Sequence, residues 1–212
     1  SGITTPRDFV GKKVGVLTGT NTEKIYRVLL AKSGVLASQV SEVEAPFDLT
    51  SFIQGQYDVR PAFIYDEPVT LKHKFVAYNI IDPLSYGIKF VGTVYFTQRA
   101  TVQNREPVVQ AFVNSIADGW RAATRRPDEA ITFIKADFPQ IDEARELESL
   151  NTGMNSFVRE DGKLLLSIKA DWSTMISDLS KLPGGENDFQ KLDLDSIIAN
   201  QYLENYYVKT SK

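Results

Sequence analysis

Four polar residues near the start of the chain could bind a ligand: Thr18, Thr20, Asn21 and Thr22. They surround Gly19, which permits a tight turn, and they come directly after an apolar run. Hydroxyl, amide and backbone N–H groups at such a turn, near the positive end of a helix dipole, favour an anion or another polar ligand. We therefore predict that these side chains donate hydrogen bonds to an anionic or carbonyl group.

Tyr65 and Glu67 form a second pair of candidate ligand-binding residues. Tyr65 ends a predicted strand and Glu67 follows it, and ligands of α/β folds bind at the carboxyl ends of strands. The Glu67 carboxylate could accept a hydrogen bond from an exocyclic amine or a ring N–H, and the Tyr65 ring could stack on a heterocycle. The alternative for Glu67 is structural: it caps the helix that Pro68 opens.

The first four candidates lie between a predicted strand and a predicted helix. The apolar run that includes Val14 and Val16 has strand character. Thr20 and Glu23 have the spacing of a capping box, and Gly34 ends the helix that follows. The same pattern is typical of a capped strand-to-helix connection in any α/β protein, so this alternative stays open. The loop matches neither the Walker A motif nor the G-x-G-x-x-G dinucleotide motif.

The elements that follow alternate between strands and helices as far as residue 98. Apolar runs and turn residues predict a strand around Val43, a short helix over 48–55, a strand over 59–65, a helix that Pro68 opens, a strand over 76–81, a loop over 82–87 and a longer strand over 88–97. After residue 104, apolar residues recur at three- and four-residue spacing, which predicts several amphipathic helices that pack a core.

Several segments resemble one protein family in their order and spacing. They are Asp8-Phe-Val-Gly-Lys-Lys-Val-Gly-Val, Gly55-Gln-Tyr-Asp58, Tyr65-Asp-Glu-Pro68, Pro83-Leu-Ser-Tyr-Gly87 and Glu106-Pro-Val-Val-Gln-Ala-Phe-Val. In these the chain resembles the second lobe of type II periplasmic substrate-binding proteins, in particular the NMT1/THI5-like branch. That branch includes binding proteins for thiamine-pyrimidine precursors, riboflavin, alkanesulfonates and related small molecules.

The resemblance implies a fold class, α/β and periplasmic-binding-protein-like (type II). Residues 8–98 would form one complete α/β lobe, and residues 99–212 a mostly helical remainder of the other lobe. In the family a substantial segment precedes the equivalent of Phe9, so the N-terminal part of lobe one is expected to be absent here. The later helices would then lack the sheet that they usually cover, which predicts self-association or an unusual packing onto the other lobe.

The resemblance also implies a function. The protein would bind a small polar or heterocyclic solute, such as a thiamine-pyrimidine precursor, in a cleft between lobes and deliver it to an ABC-type permease. Its location would be periplasmic or otherwise extracytoplasmic, with any signal peptide outside this chain. A second interpretation is a ligand-sensing input domain of a signalling protein, and a third is a pyrimidine-forming enzyme like the eukaryotic THI5-like relatives.

Catalysis is the least favoured of these functions. The THI5-like enzymes use a histidine, a lysine-bound pyridoxal phosphate and a cysteine-rich motif, whereas this chain has no cysteine and a single histidine, His73. A lone histidine near the end of a helix is expected to interact with the helix dipole there and not to act in catalysis. We therefore expect no catalytic residue, no cofactor and no metal site.

Composition argues against other partners. The net charge is −3 and no basic stripe is present, which argues against nucleic acid. No apolar run approaches the roughly 20 residues of a membrane span. The absence of cysteine excludes disulfides and thiol catalysis.

Overall fold

The protein has a mixed α/β structure that is mostly helical and contains a small parallel sheet. The structure, a computed structural model, describes residues 2–159, 161–185 and 192–210. The sheet has two strands, β1 (Lys13–Val16) and β2 (Ser41–Glu44). Within the described ranges the α-helices are α1 (Asn21–Ser33), α2 (Thr50–Ile53), α3 (Glu67–His73), α4 (Arg99–Asn104), α5 (Glu106–Arg125), α6 (Pro127–Asp137), α7 (Glu143–Phe157), α8 (Lys169–Leu179), α9 (Leu194–Ile197) and α10 (Gln201–Thr210).

A strand–helix–strand unit at the start of the chain carries the first four candidate residues. β1 and β2 pair in parallel, with Val16 opposite Glu44. Thr20 caps α1, because its Oγ1 accepts a hydrogen bond from the N–H of Glu23 at 3.4 Å. Gly34 ends α1 in the left-handed conformation, with φ 69°. The predicted strand, turn and capped helix are confirmed.

The strands predicted over residues 59–65, 76–81 and 88–97 are not formed, and those predictions are wrong. In the first segment a single bridge joins Val59 to Val14. Val, Ile, Phe and Tyr favour strands only where a neighbouring backbone supplies the cross-strand hydrogen bonds. No further strand in the described ranges does so for these segments.

The described chain divides into two compact units. Unit one comprises Ser1–Val91 and Ala170–Leu192, and unit two comprises Gly92–Lys169 and Asp193–Lys212. The described residues 170–185 and 192 thus group with unit one, whereas the division of the sequence at residues 98 and 99 places them in the second segment. That division concerns the lobes of the family fold and stays a prediction.

The core of unit one is built on β1 and α1. Val14 is fully buried and belongs to the same apolar cluster as Ile88 and Leu179. Leu179 lies on α8, so a helix from late in the chain completes this core. The buried carboxylate of Asp178, also on α8, lies 2.6 Å from the Lys32 ammonium on α1. Together the apolar contact and the ion pair hold α8 in unit one.

The core of unit two lies between α5 and α10. Ala117 on α5 packs with Leu203 and Tyr206 on α10. The amphipathic helices predicted after residue 104 are present. Several large apolar side chains remain exposed, among them Phe112 and Phe133, the latter at 73%.

We predict that Gly15→Ala destabilises the protein. A Cβ at residue 15 would lie 2.8 Å from Cε2 of Tyr57 and 2.9 Å from Cβ of Ala45. Overpacking of this kind costs about 1–3 kcal/mol of the free energy of unfolding. Urea denaturation followed by circular dichroism measures the change.

Gly119→Ala on α5 is the matched control, since a Cβ there meets no heavy atom within 4 Å. Removing a glycine from a helix interior should raise stability by about 0.5–1 kcal/mol. Equal effects of the two substitutions would contradict the close packing of Tyr57 over β1.

Candidate functional site

The loop between β1 and α1 is exposed to solvent and is organised by carboxylates. The hydroxyl of Thr18 donates a hydrogen bond to Oε2 of Glu44 at 2.5 Å, and its N–H donates to Oε1 at 3.4 Å. The N–H of Gly19 donates to Oε2 of Glu23 at 2.7 Å. The carboxylates of Glu44 and Glu23 therefore accept the hydrogen bonds that this turn can donate. We call these residues, 17–23 with Glu44, the loop site.

The remaining loop candidates are mostly engaged within the loop. The hydroxyl of Thr20 donates to the carbonyl of Leu17 at 2.6 Å. It also lies 2.7 Å from the Thr22 hydroxyl, and Thr22 supplies the hydrogen because that of Thr20 is already committed. Asn21 is the first residue of α1 and is exposed. The expected donation from these side chains to a ligand stays a prediction.

The two carboxylates of the loop site differ in their charge partners. Glu23 forms an ion pair with Arg27 at 3.1 Å. Glu44 accepts hydrogen bonds only from Thr18 and forms no ion pair within the described ranges. Glu44 is therefore the uncompensated negative charge of the loop site, at the carboxyl end of β2.

An ion-pair network behind the loop fixes its position. Arg27 on α1 donates to both oxygens of Glu42 on β2, to Oε2 at 2.8 Å. The hydroxyl of Tyr26 donates to the same carboxylate at 3.1 Å. The hydrogen bonds from Arg27 are the main reason why the pKa of Glu42 lies below its usual range. The network ties α1 to β2, and so it fixes both elements that supply carboxylates to the loop.

Glu44 is not among the residues predicted from the sequence. Its signal was present, because a strand was predicted around Val43 and the carboxyl ends of parallel strands meet at one edge of a sheet. What the sequence did not show was that β1 and β2 are direct neighbours in register.

Tyr65 lies in the turn before α3 and stacks on Phe63, with ring centroids 5.7 Å apart. Its side chain is half-buried. Burial, reinforced by the charges of Asp66 and Glu67, raises the pKa of the Tyr65 hydroxyl. One face of the ring is therefore already covered by a side chain of the same segment.

Glu67 is held by protein groups at both carboxylate oxygens. Oε1 lies 3.2 Å from Nη2 of Arg60, and Oε2 accepts a hydrogen bond from the N–H of Phe63 at 2.8 Å. The Arg60 side chain is 3% exposed and also donates to the carbonyl of Asp48 at 2.8 Å. Glu67 is the first residue of α3, and Asp66 occupies the cap position. These contacts hold the segment over residues 60–67 in place. Contact between Glu67 and a ligand stays a prediction.

A cavity of about 350 Å³ in unit one includes Glu67 but not the other predicted site residues. Its lining is Phe47, Asp48, Leu49, Thr50, Ile53, Asp66, Glu67, Thr70 and Lys74. Thr18, Thr20, Asn21, Thr22 and Tyr65 do not line it. The structure thus places the predicted residues in two separate groups, the loop site and the start of α3.

His73 lies in the last turn of α3 and is half-buried. The described part of the chain contains no cluster of three or more His, Cys, Asp or Glu residues that could hold a metal ion. Within the same ranges, no helix combines the length and the hydropathy that crossing a bilayer requires.

Comparison with known proteins points to one family. A family model described as NMT1/THI5 like matches residues 1–130. A solved structure from Bordetella bronchiseptica RB50 is similar, with 21% identity, a TM-score of 0.61 and coverage of 100% of this chain and 68% of that chain. At that identity the likeness shows the fold alone. A search of curated proteins found no match.

We predict that Glu67→Gln lowers the stability of unit one. The neutral amide would leave the buried guanidinium of Arg60 without its charged partner, a loss of about 1–3 kcal/mol. Urea denaturation measures the change. Glu106→Gln, at an exposed position in the first turn of α5, removes the same charge and should change stability by less than about 0.5 kcal/mol. Equal free energies of unfolding of the two variants would show that the contacts of Glu67 do not stabilise this segment.

Proposed function

The chain belongs to the NMT1/THI5-like family, and from that membership we propose that it binds a small heterocyclic solute outside the cytoplasm for delivery to an ABC-type importer. The family consists mainly of solute-binding proteins with a periplasmic-binding-protein-like fold. Binding in that fold proceeds by closure around the ligand and involves no bond chemistry. Unit one would supply the loop site as one wall of the cleft.

The charge of the loop site favours a ligand that donates hydrogen bonds. Glu44 is exposed and has no ion-pair partner within the described ranges, and Glu23 occupies the N–H of Gly19. A sulfonate or carboxylate ligand would have to replace Glu44 and Glu23 as the acceptor of these N–H groups, and their negative charges would repel it. An amino group on a heterocycle could instead donate a charge-assisted hydrogen bond to Glu44. This single observation supports an aminopyrimidine-like ligand over an anionic one.

We further propose that unit two associates with itself through its exposed apolar faces. Phe112, Phe133 and Phe138 are each more than half exposed, at 51%, 73% and 55%. Burial of these side chains in a contact between copies would contribute about 25 cal/mol per Å² of apolar surface.

Sedimentation velocity over a range of protein concentrations tests the association. We expect the weight-average sedimentation coefficient to rise with concentration, and Phe133→Ser to reduce that rise because it removes the most exposed ring of the three. A coefficient independent of concentration in the unsubstituted protein would contradict the proposal.

A thermal-shift screen against aminopyrimidines, thiamine, riboflavin, alkanesulfonates and small carboxylates tests the solute proposal. A ligand at ~100 times its dissociation constant adds about 2.7 kcal/mol of stability, which for a chain of this size raises Tm by roughly 5–10 °C. We expect a shift with amine-bearing heterocycles. A shift with sulfonates alone would contradict the role of Glu44, and no shift with any compound would contradict solute binding by this chain.

We predict that Glu44→Gln weakens binding of the amine-bearing ligand at least about tenfold, because a charge-assisted hydrogen bond contributes about 1.5–3 kcal/mol. Isothermal titration calorimetry measures the affinity. The amide still accepts a hydrogen bond from Thr18, so the loop should keep its conformation. Glu106→Gln is the control for the change in net charge. Equal affinity in both variants would remove Glu44 from the site.

A further inference from the structure

A second cavity lies wholly within unit two, apart from every residue of the loop site. Its volume is about 280 Å³, and it opens between the end of α5, the end of α10 and residues 161–164. Its lining is Arg121, Thr124, Arg125, Val158, Asp161, Gly162, Lys163, Leu164, Tyr207 and Thr210. We call it the basic cavity.

The charge of the basic cavity is opposite to that of the whole chain. Arg121, Arg125 and Lys163 line it, with Asp161 as the one carboxylate among its described lining residues. The chain as a whole has a net charge of −3. Three cations gathered around one concave surface raise the local concentration of anions.

The hydroxyl groups of the basic cavity are committed as donors to backbone carbonyls. Tyr207 donates to the carbonyl of Leu164 at 3.1 Å, and Thr124 donates to that of Trp120 at 2.7 Å. Thr210 donates to the carbonyl of Tyr206 at 3.1 Å. The hydrogen bonds that remain for a ligand therefore come from the guanidinium and ammonium groups.

These cationic groups retain unused donors. The Arg125 side chain forms no hydrogen bond or ion pair within the described ranges, and it is exposed. Arg121 uses one nitrogen to donate to the Tyr206 hydroxyl at 3.0 Å. Lys163 lies 3.7 Å from Asp161, longer than a good hydrogen bond, and 5.8 Å from the ring centre of Tyr207. Arg121 and Arg125 lie four positions apart on α5, one turn of helix.

Hydrogen bonds hold the backbone at Gly162, Lys163 and Leu164 before any ligand arrives. Asp161 accepts a hydrogen bond from the N–H of Lys163 at 3.1 Å, and the N–H of Gly162 donates to the carbonyl of Arg159 at 2.8 Å. The Tyr207 hydroxyl also accepts from the N–H of Leu164 at 2.7 Å. At these three residues a ligand meets a backbone whose hydrogen bonds are already formed, which lowers the entropic cost of binding.

We propose that the basic cavity binds a tetrahedral oxyanion, either a free phosphate or sulfate ion or the phosphate group of a small organic ester. Two guanidinium groups provide planar pairs of N–H donors that match the oxygen spacing of such a group. The Tyr207 ring beside Lys163 provides an aromatic surface for the organic part of an ester.

The test uses the full chain and titrates it with inorganic phosphate, sulfate and phenyl phosphate at constant ionic strength, with chloride as the replaced anion. Amide shifts of Gly162 and Lys163 in ¹⁵N NMR spectra locate the binding, and their saturation gives the affinity. We expect saturation at millimolar or lower concentration. Tighter binding of phenyl phosphate would indicate an organic ester as the source, and equal binding would indicate the free ion.

The double variant R125Q/K163Q should weaken phosphate binding at least about tenfold. Arg126→Gln is the matched control, because Arg126 is the next residue, is exposed and does not line the cavity. An unchanged melting curve in both variants shows that neither substitution unfolds unit two. Amide shifts that do not saturate, or equal weakening in R126Q, would overturn the site and leave only general attraction to surface cations.

Discussion

The parallel pairing of β1 with β2 is the constraint on which unit one depends. Its register sets Val16 opposite Glu44, so the residues that follow β1 meet a carboxylate at the end of β2. Gly15 lets Tyr57 approach the strand. The N–H of Gly15 donates to the carbonyl of Val59 at 2.8 Å, which holds the chain at Val59 beside β1. A slip of one residue in this pairing would reverse which side chains of β2 face the core.

The sequence predicted those parts of the fold that are specified locally. The cap at Thr20, the glycine at the end of α1 and the amphipathic stripe of α5 each depend on residues within a few positions of one another. The strands predicted over 76–81 and 88–97 failed because a strand also needs a partner, and a partner is a non-local property. Glu44 was missed for the same reason, since Thr18, its hydrogen-bond donor, lies 26 positions away. The Arg60–Glu67 pair was missed because the strand predicted over 59–65 is not formed and the chain there brings the two side chains together instead.

The two candidate sites differ in how their charges are compensated. In unit one the protein's own carboxylates accept hydrogen bonds from the N–H groups of the turn before α1, and the charge of Glu44 remains. In unit two the hydroxyl groups are satisfied by backbone carbonyls, and the charge of the cations remains. In unit two the polar atoms that hold the backbone are distinct from the charge that faces solvent, whereas in unit one the Glu44 carboxylate has both roles. Substituting a cation of the basic cavity can therefore alter ligand affinity without removing a backbone hydrogen bond, whereas a substitution at Glu44 has to keep an acceptor for Thr18.

The return of α8 to unit one has a consequence for how the protein folds. Leu179 and Asp178 complete a core and an ion pair whose other members lie in the first 91 residues. Contacts between segments so distant in sequence form slowly, because a long loop must close before they gain any free energy. On the ribosome, unit one would expose the face that α8 covers until the whole of unit two, except its last helices, had been synthesised. The nascent chain would pass through a stage at which a chaperone has an apolar surface to bind.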